Sequence, residues 1–83
     1  MKLYTLDNQF IKESDSEEFN FTGITVFSTG LSVYRFNGKL HRLDGAALIY
    51  PSGTKSFYIH DIKCNTEEEY KLLADIMKLK GLI

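Results

Sequence analysis

His41 stands three residues before Asp44 in His41-Arg42-Leu43-Asp44-Gly45-Ala46-Ala47, a base and a carboxylate close enough in the chain to meet across a turn. With a nucleophile beside them, such groups could run acyl or phosphoryl transfer, which needs nucleophile, base and charge stabiliser in one place. The remaining vocabulary is thin. His60 is the other imidazole and Cys64 the single thiol, and no glycine-rich phosphate loop or nucleophile elbow accompanies them. His41, His60, Asp61 and Cys64 also lack the paired spacing of structural zinc sites. These residues predict no catalytic site, no metal and no cofactor, in a chain that is not an enzyme. A lone Cys64 fits a small buried hydrophobe in a reducing compartment better than a reactive thiol.

The elements that would position these groups follow from composition and pattern. At 83 residues the chain has room for one domain with a small core. Five Tyr and six Phe within a 43% hydrophobic composition make it apolar enough to fold, at a charged fraction of 25%. Ten Lys and Arg against eleven Asp and Glu leave a net charge of -1, which supplies no bulk attraction for nucleic acid or an anionic membrane. No run approaches the roughly 20 apolar residues that span a bilayer, and the first residues lack the apolar stretch of a signal peptide. The expectation is a cytoplasmic protein with no membrane contact. Met1 entering strand-like sequence and a capped helix near the end read as a whole small gene product.

Residues 1–22 read as a hairpin, Lys2 to Leu6 and Gln9 to Lys12 around Asp7-Asn8, followed by an acidic loop. Glu13, Asp15, Glu17 and Glu18 make that loop either a solvated connection or an acidic contact surface. From Gly23 a period of 23 residues emerges, in which residues 25–38 lie over residues 48–61 with matching residue types. Each copy is a β-branched and aromatic run that stops at a glycine, Gly30 or Gly53, then resumes and reaches a pair that tolerates positive φ, Asn37-Gly38 or His60-Asp61. Residues 23–63 are therefore two β-hairpin repeats, and Asn37-Gly38 marks a type I′ turn.

Residues 66–80 read as a helix. Thr66 is its N-cap with Glu69 three residues on, and Gly81 is its stop. Leu72, Leu73, Ile76 and Leu79 recur at helical spacing, flanked by Tyr70 and Met77, a stripe expected to cover one face of the sheet. The fold class is α+β: a small antiparallel β-meander of repeated hairpins with one C-terminal α-helix packed on it. Within it Asp44-Gly45 bends the chain back after the Asn37-Gly38 hairpin, and His41 is placed to hydrogen-bond Asp44. Alanine at His41 or Asp44 is then expected to lower stability. Tyr34-Arg35-Phe36 and Lys55-Ser56-Phe57-Tyr58 interleave rings with cations as single-strand nucleic-acid binders do, but strand alternation assigns most of these rings to the core.

Residues 36 to 79 resemble the small repeat proteins of tailed bacteriophages and giant viruses, whose unit runs N-G-K-x-H-R-x-D-G-P-A-x-x-Y-x-x-G-x-x-x-W-Y. Asn37, Gly38, His41, Arg42, Asp44, Gly45, Ala47, Tyr50, Gly53 and Tyr58 match it. Ala46 stands where the family has Pro, Phe57 where it has Trp, and His60-Asp61 where it has a second Asn-Gly. The resemblance implies a β-hairpin repeat of about two degenerate units and a viral origin, and no catalytic residues. The expected function is that of a small non-enzymatic phage protein in the host cytoplasm that binds and inhibits or modulates a host protein. Glu13, Asp15, Glu17, Glu18, Lys39, Arg42 and Lys55, or an open sheet edge, would form its contacts. A nucleic-acid-binding regulator using Lys39, Arg42, Lys55 and the sheet aromatics is the alternative, as is a minor virion component. Open edges make either a monomer or a homodimer compatible with the pattern.

Overall fold

The glycines that mark the repeat sit at turns closed by one hydrogen-bond scheme. In the computed structural model, which describes residues 1–16 and 19–82, the Phe27 N–H donates to Leu31 O and the Gly30 N–H to Phe27 O, both at 2.9 Å. Shifted by 23 residues, the Tyr50 N–H donates to Thr54 O and the Gly53 N–H to Tyr50 O, again at 2.9 Å. Gly30 and Gly53 adopt φ of 95° and 91°, the left-handed region that a side chain resists. The exit turns match too: Asn37 and Gly38 lie at 50° and 80°, His60 and Asp61 at 47° and 67°. Both residues at positive φ define the type I′ geometry that suits strand twist. The N-terminal hairpin repeats the first scheme, with Thr5 N–H to Gln9 O and Asn8 N–H to Thr5 O and with Asn8 at φ 67° in the glycine position.

These turns connect β1 (Lys2–Tyr4), β2 (Phe10–Glu13), β3 (Gly23–Val26), β4 (Ser32–Phe36), β5 (Lys39–Leu40), β6 (Leu48–Ile49), β7 (Lys55–Ile59) and β8 (Ile62–Cys64), followed by α1 (Glu67–Leu79). All pairings are antiparallel, in the order β2-β1-β3-β4-β6-β7-β8, with β5 also on β4. The protein is thus an antiparallel α+β meander of eight strands and one helix among the described residues. β1 lies between β2 and β3, so β2 is an edge strand. Leu3 and Thr25, cross-strand partners, are fully buried.

β5 and β6 run along the same side of β4, Leu40 opposite Arg35 and Leu48 opposite Val33. Tyr34 alone separates those two pairings on β4, while residues 41–47 intervene on the other side. The stretch is therefore an excursion from a strand that rejoins its own line, rather than a bend that reverses the chain. Tyr34 anchors both ends: its carbonyl accepts the His41 N–H at 3.2 Å and its N–H donates to Ala47 O at 2.7 Å.

Thr66 caps α1 by accepting the Glu69 N–H at 3.1 Å. At the other end Gly81 N–H bonds Lys78 O and Leu82 N–H bonds Met77 O, the paired bonds of a Schellman stop. The helix covers the sheet at β7 and β8, but with a different stripe from the one its leucines suggest. Tyr70 and Ala74 are buried with Ile59 and Cys64, and Met77, Phe57 and Leu43 pack around them. Leu72, Ile76 and Leu79 are 62%, 40% and 88% exposed. Periodicity identifies two apolar sides of α1 without ranking them. The close approach to β7 and to the 41–47 loop takes the side with small Ala74 and the hydroxyl-bearing Tyr70.

Candidate functional site

The 41–47 loop carries His41, Arg42, Asp44 and Gly45 of the residues that the sequence singles out, and each is held by a partner from another element. The Asn37-Gly38 turn that leads into it rests on residues 20–22: Asn37 N–H donates to Thr22 Oγ1 and Gly38 N–H to Phe21 O, both at 2.9 Å. A Cβ on Gly38 would lie 3.2 Å from the Asn20 backbone, so glycine is required there by proximity as well as by φ.

His41 is buried, and its Nδ1 accepts the backbone N–H of His60 at 3.0 Å. The two imidazoles stack at 4.0 Å between centroids, with the Phe36 ring against both. His41 therefore clamps the exit turn of the second repeat. It does not pair with Asp44, whose carboxylate faces Lys78 Nζ at 3.2 Å. The reason lies in the excursion: it sends Asp44 outward to α1 while His41 stays on the strand line against β7 and β8. Asp61 completes the clamp, its Oδ1 accepting the Leu40 N–H at 2.6 Å and its N–H donating to Leu40 O at 2.8 Å.

With Nδ1 an acceptor, the proton of neutral His41 resides on Nε2, which is buried without a hydrogen-bond partner. Burial, and secondarily the charge of His60, pull the His41 pKa below its usual value. The unfolded chain then binds a proton more readily than the folded one. The stabilisation is complete above the unfolded value of about 6.5 and is lost as pH falls through the depressed folded value. Urea midpoints are expected to drop between pH 7.5 and pH 5, and the drop to shrink in His41→Gln. A slope unchanged by that substitution would assign the pH dependence elsewhere.

Arg42 lies 3.9 Å over the Tyr34 ring and donates from Nη1 to Ala46 O at 3.1 Å, bracing the loop from within. Tyr70 braces it from outside: its hydroxyl donates to Arg42 O at 2.6 Å and accepts the Gly45 N–H at 3.0 Å. Sequence spacing puts Tyr70 at the flank of the leucine stripe and does not mark this bond; the available signal is a phenol one turn into a capped helix. The Asp44–Lys78 pair, by contrast, is exposed on the surface. Asp44→Asn is expected to cost no more than about 1 kcal/mol, while His41→Ala, which strands the His60 N–H and removes a stacked ring, costs about 2 to 3 kcal/mol. Thermal unfolding of the two variants side by side measures the contrast.

Burial, and secondarily Glu69, push the Cys64 thiol up, which keeps it in the unreactive protonated form. Among the described residues no three His, Cys, Asp or Glu come together as metal ligands. Lys39 pairs opposite Phe36 at one end of β4. Lys55 pairs opposite Ile49, which pairs opposite Ser32 at the other end. The cations thus do not form one patch. The rings beside them are half-buried and partly covered by neighbours, Tyr34 by Arg42, Phe36 by the histidines and Phe57 by Tyr70 at 4.7 Å. Among the described residues no helix is long and apolar enough to cross a membrane.

One group of exposed apolar residues lies at the N-terminal edge. β2 is the outermost strand and all four of its residues are exposed. Phe10 and Ile11 on it are 58% and 44% exposed, and Leu6 and Phe19 are exposed as well. Glu13 and Asp15 continue the edge as solvent-facing acids, while Glu17 and Glu18 lie outside the described residues. No known family model, characterised protein or solved structure matches the chain.

Proposed function

We propose that this is a small non-enzymatic phage-type protein that acts in the host cytoplasm by binding and modulating a host protein, with the β2 edge as its contact surface. The observation that carries this reading is an edge strand with every residue exposed, bearing two large apolar side chains and running into acids. An edge strand can receive an added strand from a partner, and side chains on alternate faces give selectivity. The chemistry selects a partner that presents an extended segment mixing apolar and basic residues. The resemblance of residues 36 to 79 to viral repeat units supports the viral setting. The partly covered rings and scattered cations favour a protein partner over nucleic acid.

Capture from host lysate with the intact chain, compared with Phe10→Lys/Glu13→Lys, tests the proposal. An enriched protein is expected whose affinity falls about tenfold or more in the variant, or about 1.4 kcal/mol, with the unfolding midpoint little changed. No enriched partner from relevant hosts, or a partner indifferent to the β2 substitutions, would sink it.

A further inference from the structure

The outer side of α1 carries a second surface, independent of the β2 edge. Glu68, Leu72, Ile76 and Lys80 follow one another at four-residue intervals, so they form a single row along the helix. All four are exposed, Leu72 at 62% and Ile76 at 40%, and Leu79 beside them is 88% exposed. The row lies opposite Tyr70 and Ala74, which the sheet buries, and successive residues turn by about 100°. Packing inside the chain does not explain it.

The order of the row is its own complement. Read from either end it runs charge, apolar, apolar, opposite charge, with Glu68 and Lys80 equidistant from Ala74. An antiparallel second copy laid against it sets Leu72 against Ile76 and Glu68 against Lys80, twice by symmetry, as an isologous two-fold contact requires. A parallel copy would set like charge on like. Glu67 and Lys71 pair with each other at 3.1 Å and Lys78 pairs with Asp44 at 3.2 Å, while Glu68 and Lys80 frame the apolar pair.

From this self-complementarity we infer that the protein forms a homodimer through an antiparallel α1–α1 contact, with Leu72 and Ile76 at its centre. The β2 edge lies at the far end of the sheet from β8 and the helix, so dimerisation leaves the proposed partner surface open.

Sedimentation velocity of the full chain at rising concentration is expected to show twice the chain mass, dissociating on dilution. Ile76→Glu is expected to sediment as a monomer with an unaltered circular dichroism spectrum. Glu68→Lys and Lys80→Glu singly are each expected to raise the dissociation constant about tenfold, and the double exchange Glu68→Lys/Lys80→Glu to restore it. Because both exchanged residues are exposed, the charge series stays informative even if Ile76→Glu unfolds. A monomer at every concentration overturns the inference. So does a dimer indifferent to the charge exchanges, or one that the double exchange fails to restore.

Discussion

Tyr70→Ala is expected to lower the unfolding free energy by about 3 to 5 kcal/mol, the range for deleting a buried aromatic, and to leave much of the chain unfolded at 37 °C. Three losses coincide in this substitution. The ring is 4% exposed and sits against Phe57 at 4.7 Å within the Ile59, Cys64 and Ala74 cluster. Its hydroxyl joins Arg42 O to the Gly45 N–H, so alanine orphans a carbonyl and an amide in the 41–47 loop. Finally, it is the hydrogen-bonded link by which α1 holds that loop, beside the exposed Asp44–Lys78 pair. Tyr70→Phe separates these contributions: it keeps the ring and removes only the bond, for about 1 to 3 kcal/mol. Urea unfolding of both variants is the measurement. A Tyr70→Phe protein as stable as the parent would mean that the hydroxyl does not brace the loop.

Gly23→Ala is the second large effect, about 3 kcal/mol or more, because the obstacle is backbone and cannot rotate away. A Cβ on Gly23 would collide with the Tyr4 carbonyl oxygen and lie 2.6 Å from the Phe21 ring, and φ there is +150°. Gly23 opens β3, and Tyr4 is paired with the next residue, Ile24, so relief requires β1 and β3 to part where Leu3 and Thr25 are buried. Gly53→Ala provides the comparison: nothing lies within 4 Å of its Cβ, so only the cost of positive φ remains, about 1 kcal/mol. Equal destabilisation at the two positions would refute the clash.

What the chain alone determines about this protein is its local geometry. Gly30, Gly53 and Asn37-Gly38 specify their turns because few residues tolerate positive φ, and a spacing of 23 residues reports that one hairpin is built twice. Thr66 and Gly81 bound the helix through caps formed within a few residues. Asn8 escapes notice as a third turn of the same kind because asparagine reaches φ 67° without a glycine to mark it. Tertiary structure alone decides which surfaces meet. His41 and Asp44 lie three residues apart yet face different elements, since seven residues leave the β4 partner strand and return to it. His41 is claimed by the His60 turn and Asp44 by Lys78 on α1. The helix likewise shows two apolar sides, and the tight approach of β7 and the loop selects Tyr70 and Ala74 for burial. That choice leaves Leu72, Ile76 and Leu79 outward. The physical reason is that hydrogen bonds and dihedral limits act along the chain, where sequence spacing records them, whereas packing depends on shape and polar complementarity between segments that only the folded chain brings together.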